Sequence, residues 1–136
     1  MKIVDENKLL PNKFEPLRVN RWVMMLEGVD AYLVKTVEPP VIESNSSTKI
    51  LVLGLFNVAS GDQNERLKAW LDAPLSKDGE LKFLDPVGTV VELWKFRVRP
   101  QKMWFDKLDY NSSGLLTTYL QIETETFEIV STRVKV

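Results

Sequence analysis

The sequence predicts a mainly β fold, a sandwich or barrel flanked by one short α-helix, and three observations lead there. The segments "GTVVELWKFRV" and "LTTYLQIETETFEI" alternate apolar and polar residues as long, half-wetted strands do. The run "KILVLGLFNV" is nearly continuous in apolar residues yet too short to cross a membrane. Only residues 62–73 carry a helical period. A single helix cannot build a second layer, so the strands must close on one another.

Taken in order, "RWVMMLEGVDAYLVKTVEPP" reads as two strands joined in a hairpin at Gly28, Val29 and Asp30. In the second strand Tyr32, Val34 and Thr36 alternate with Leu33, Lys35 and Val37, and Pro39 and Pro40 end it because neither donates to a ladder. Residues 41–48 form a polar loop within a longer connection, 39–49. Residues 49–58 read as a strand covered on both faces. The helix opens with Asp62 as N-cap and Glu65 in capping-box position, continues through a Leu67, Trp70 and Leu71 stripe, and is closed by Pro74. A turn at Lys77, Asp78 and Gly79 leads into "ELKFL", which pairs with "GTVVELWKFRV" across residues 85–88, where Pro86 presets the turn.

In that return strand Val90, Trp94, Phe96 and Val98 share one side, interrupted by Glu92, and Lys95, Arg97 and Arg99 share the other. Near the C-terminus Leu116, Leu120 and Ile122 lie opposite Tyr119, Gln121, Glu123 and Glu125. Between the two strands sit Met103, Trp104, Phe105, Leu108 and Tyr110, bracketed by Pro100 and by Gly114, the latter predicted to take a positive φ.

Composition narrows the function classes. The 136 residues make about one domain, with 44% hydrophobic and 27% charged residues. Lys and Arg number 18 against 19 Asp and Glu, so no basic field exists to hold a nucleic-acid backbone. With no cysteine there is no disulfide and no thiolate metal site, and with no histidine the commonest general base and imidazole ligand are missing. Asp5, Glu6 and Pro11 stand where a secretory signal needs an apolar run, which makes the cytoplasm the expected place of synthesis.

The remaining chemistry is thin. Asp106 with Asp109, and Glu123 with Glu125, are the carboxylate pairs an enzyme would need, but the second pair lies two apart on one wet strand face and reads as solvation. "DYNSSG" matches the opening of a calcium loop at Asp109, Asn111 and Ser113, yet Leu120 stands where the closing bidentate Glu is required. The "NSS" triplets at Asn45 and Asn111 match a glycosylation acceptor with no secretion signal to use it. No nucleotide fingerprint is present, and neither catalysis, a cofactor nor a metal is expected.

The order of elements, followed by "PVGTVVELW" and by Pro100, Met103, Leu108, Asp109, Tyr110, Asn111, Ser112, Ser113 and Phe127, resembles the tail tube proteins of contractile-tailed bacteriophages. Those share a fold with the tubes of injection particles and of type VI secretion. The resemblance covers about residues 14–130. It implies one tail-tube domain over residues 1–136, with an N-terminal arm at 1–13, the 39–49 loop and the 62–73 helix. Six such chains would close into a ring whose strands form one barrel around a lumen, and rings would stack into a tube that conducts DNA without binding it specifically.

On that resemblance Gln121, Glu123 and Glu125 face the lumen. Val41, Ile42, Met103, Trp104, Phe105 and Tyr110 make subunit and ring contacts, and Glu65, Lys68 and Asp72 present the helix to a tail sheath protein. The implied partners are further copies of the chain, the sheath, the baseplate and the tail terminator, with no membrane; the implied location is the virion tail, assembled in the bacterial host cytoplasm. Related roles are a baseplate tube initiator or a tail-completion subunit. A reading from another class is a monomeric β-sandwich binding module using Trp104 and Tyr110 as stacking platforms.

Overall fold

The computed structural model describes residues 16–45 and 48–132. The expected N-terminal arm and residues 133–136 lie outside them. The architecture is built around two long strands, β5 (Val90–Phe105) and β6 (Thr117–Ser131), paired antiparallel from Glu92↔Ser131 to Phe105↔Thr118. Their register shifts twice, between Arg97 and Val98 and between Pro100 and Lys102. Such bulges bend and twist a ribbon.

The bend lets one ribbon serve two partners. The first half of β5 pairs with β4 (Lys77–Leu84), which pairs with β1 (Trp22–Leu26). The first half of β6 pairs with β3 (Ile50–Phe56), which pairs with β2 (Val34–Glu38). The result is one antiparallel sheet in the order β1-β4-β5-β6-β3-β2, curled into a nearly closed barrel. Helix α1 (Gln63–Asp72) lays Leu67 and Trp70 into its interior.

The inward residues follow the period of two. Leu51, Leu53, Leu55, Val98, Leu120 and Ile122 are fully buried, joined by Met24, Leu26, Leu81 and Phe96. Each such side chain contributes about 1.5–3 kcal/mol when removed from water. An aromatic run of Phe83, Trp94 and Phe127 extends the core, with ring centroids 4.9 Å and 5.7 Å apart in edge-on geometry. The 85–88 turn forms as its residues dictate. Gly88 takes φ 90°, its N–H donates to the Asp85 carbonyl, and the Asp85 carboxylate accepts the Val87 and Thr89 N–H groups at 3.0 Å and 2.9 Å.

Several sequence expectations are corrected. β1 and β2 are not a hairpin: they are the opposite edges of the sheet, the isolated Leu26–Val29 bridge closes only the turn that follows β1, and Tyr32 and Leu33 lie in a 3-10 turn, Ala31–Leu33. Longer partners, β4 and β3, outcompete the local pairing. The Lys77, Asp78 and Gly79 segment is strand, not turn, because the Phe96 ring of the neighbouring strand lies over Gly79 and fills the space a side chain would take. Pro100 does not end its strand. It is buried mid-β5 beside the second register shift, where the ladder can spare its missing N–H.

Gly114 is not among the positive-φ glycines, which are Gly28 and Gly88; its N–H donates to the Ser112 hydroxyl instead. β3 is covered on one face only, since Ile50 remains 40% exposed and Val52 half-buried. Asp62 occupies the N-cap position without capping the backbone, because its carboxylate takes the Arg66 Nε at 2.9 Å.

A charged wall and an aromatic corner as the candidate functional site

The wet face of the ribbon is organised in columns. β5 presents Lys95, Arg97 and Arg99 outward, β6 presents Gln121, Glu123, Glu125 and Glu128, and β4 presents Asp78 and Glu80. The register sets Lys95 between Glu80 and Glu128 and places Arg99 opposite Glu123. Arg97 reaches Asp78 at 2.8 Å, and Arg99 reaches Glu125 at 3.2 Å. Glu125 also accepts the Ser76 hydroxyl. Glu123 takes the Gln101 amide at 2.5 Å, and Gln101 in turn accepts from Gln121 at 2.6 Å. Thus the three residues expected on the lumen share one face, but they share it with the basic column, so the face is not acidic.

The second feature is the connection from β5 to β6. Trp104 stacks on Tyr119 across the ribbon, with centroids 5.4 Å apart at 18°, and Lys102 lies over the indole. The Asp106 carboxylate joins both sides of the corner, accepting the Thr117 N–H at 2.8 Å and the Tyr119 hydroxyl at 2.9 Å. The Thr117 bond first, then Tyr119, holds the Asp106 carboxyl below its ordinary range, and the same contact pushes the Tyr119 phenol up. Asp109 does separate work, accepting the Asn111 N–H of its own turn at 2.9 Å. Spacing groups Asp106 with Asp109, but the structure gives them no common task.

The predicted contact residues divide. Tyr110 and Leu108 are fully open to solvent at the tip of the connection, and Phe105 and Trp104 are part-open beside them. Met103 turns inward against the core. Val41 and Ile42 are exposed at the other end of β3, about 20 Å away at ~3.3 Å per strand residue. Glu65, Lys68 and Asp72 are exposed on α1, with Lys68 and Asp72 paired at 2.8 Å.

Sequence reading missed what anchors that helix. Asn57 and Asn64 hydrogen-bond the buried Thr118 hydroxyl, and Arg66 reaches the Gly28 carbonyl at 2.7 Å and Asp30 at 3.0 Å. The Asp62 and Asp30 carboxylates hold the Arg66 pKa up, Asp62 the more strongly. The one available signal was the polar "NVASGDQN" entry to an otherwise apolar-faced helix. Among the described residues no cluster of His, Cys, Asp and Glu could hold a metal ion, and no helix is long and apolar enough to cross a membrane.

No family model and no curated protein matches the sequence. Solved structures do. A chain of the sheath-tube complex of an extracellular contractile injection system, PVC, in its extended state, matches with a TM-score of 0.73 at 11% identity, over 95% of this chain and 99% of that one. The sheath/tube terminator of the same system matches with a TM-score of 0.72 at 13% identity, over 85% and 97%. Hcp1 from Flavobacterium johnsoniae matches with a TM-score of 0.56 at 18% identity, over 82% and 95%. The chain therefore has the tail-tube fold, the architecture it shares with these chains of a contractile injection system and with Hcp1.

Proposed function

We propose that the chain is a structural subunit of a tail tube that closes into hexameric rings, stacks them around a lumen and conducts DNA during ejection. The observation that carries this reading is the nearly end-to-end match to a chain of a sheath-tube complex. The two edge strands support it, because β1 and β2 present the kind of unpaired ladder that closure with neighbouring copies would satisfy. On this reading Gln121, Glu123 and Glu125, with the basic column beside them, line the lumen. Val41, Ile42, Trp104, Phe105, Leu108 and Tyr110 meet neighbouring copies, and Glu65, Lys68 and Asp72 face the sheath. Baseplate and terminator bound the tube, and the particle is a phage tail or a tail-like injection device built in the bacterial cytoplasm.

A terminator role is the second reading, favoured by the match of nearly equal quality to a sheath/tube terminator. Negative-stain electron microscopy of the purified chain, with size-exclusion chromatography over a range of concentrations, separates the two. Stacked rings or hollow tubes are expected of a tube subunit, and single rings that never stack are expected of a terminator. A monomer at every concentration overturns self-assembly. The double change Leu108→Ser with Tyr110→Ser is expected to shift assembly to at least about tenfold higher concentration, as loss of exposed apolar anchors does, while leaving the circular dichroism of the monomer unchanged.

A further inference from the structure

Lys95, Arg97 and Arg99 stand on alternate residues of one strand, about 7 Å apart, in a column of the kind on which a polyanion seats itself. A shallow depression of about 600 Å³, lined by Asp78, Glu80, Lys95, Arg97, Thr126 and Glu128, opens along it. Nothing about the column itself would prevent phosphate from binding. What stands against it is the acid on either side: Asp78 on Arg97, Glu125 on Arg99, Glu123 opposite Arg99, and Glu80 and Glu128 flanking Lys95.

These pairs are half-exposed, with Arg97 at 47% and Arg99 at 62%, and exposed ion pairs add little to stability. Their effect on the field is larger. Over the central strands five cations, with Lys82 and Lys102 included, face five carboxylates, so the wall is neutral overall while its charge alternates from strand to strand. Asp78 and Glu125 each take one guanidinium nitrogen, Nη1 of Arg97 and Nε of Arg99, and so remove one of the donors that a phosphate would need for a bidentate fork.

We propose that Asp78 and Glu125, paired with Arg97 and Arg99, and Glu123, which faces Arg99 across the ladder, are specificity-determining residues that keep this face from holding a polyanion. The importance of that for a conduit rests on the tube reading, since a wall that gripped its cargo would stall it. The binding chemistry does not depend on the tube, and it is measured on dispersed protein.

The test is fluorescence anisotropy with a labelled oligothymidylate. The natural chain is expected to show no retention at about 0.15 M salt. The triple change D78N/E123Q/E125Q is expected to tighten binding at least about tenfold, with a log–log salt slope near about −2 for three exposed cations on a single strand. Adding R97Q and R99Q to the triple should abolish the gain. Two results overturn the proposal: strong binding by the natural chain, or a natively folded triple variant that gains nothing. An equal gain from the remote change E43Q/E65Q/D72N also overturns it, because net charge alone would then explain the effect. If the triple variant fails to fold, R97Q/R99Q in the otherwise natural chain supplies the reciprocal test: exposing the acids should create retention of polylysine, and its absence overturns the proposal equally. None of these outcomes depends on whether rings or tubes form, so failure here and failure of the tube reading are distinguishable.

Discussion

The Asp106 carboxylate joins the end of β5 to the start of β6 through two hydrogen bonds, beside the one its own N–H donates to the Thr117 carbonyl at 3.3 Å. Its folded pKa lies below the 3.8 of a free carboxylate, so the stabilisation it supplies is present above that value and is lost as pH falls through the lower, folded value. Acidification to about pH 4 is therefore expected to leave the Trp104–Tyr119 stack intact, with Trp104 fluorescence changing only at lower pH. Asp106→Ala should show the changed emission at neutral pH, and Asp106→Asn should remove the acid transition. A transition unaltered in both variants would show that the corner does not depend on this carboxylate. Sequence could not disclose the role, because the partners lie 11 and 13 residues away on a strand that has first to return. The same non-locality hid Gly79, whose need for the absence of a side chain is created by Phe96.

At the level of elements, α1 derives its place from two buried apolar side chains, Leu67 and Trp70, and a polar anchor at its first turn, not from capping. Leu67→Ala is expected to cost about 2–5 kcal/mol, since a fully packed leucine leaves a cavity, whereas Lys68→Ala on the open face should stay within about 0.5 kcal/mol. Urea unfolding of the two variants checks the contrast, and equal costs would mean that the helix is not seated in the barrel. This helix was legible from its period, and the alternation of β5 and β6 from theirs, because each signal is contained in the element itself. The continuous apolar run of β3 misled for a related reason: it reports hydrophobicity on both faces but not whether a second layer is there to cover the outer one.

For the whole molecule, what the sequence could not supply was the pairing. Gly28 and its neighbours invited a local hairpin, yet β1 lies beside β4, with partners from Leu26↔Gly79 to Trp22↔Phe83, and β2 lies beside β3, with partners from Glu38↔Val52 to Val34↔Leu55. Alternation alone put Gln121, Glu123 and Glu125 on one wet face, but the arginine that neutralises Glu125 comes from a different strand and surfaced only with the register. That same topology has a kinetic meaning. The pairings of β5 with β4 and with β6 close over residues 85–89 and 106–116, whereas the edge strands β1 and β2 can pair only once β4 and β3 are in place. Amide protons should accordingly exchange slowest in the ribbon centre around Val98 and Ile122 and fastest along β1 and β2. Those two strands are then the last to order in the free chain and the first to open, which on the tube proposal leaves them available to a neighbouring copy.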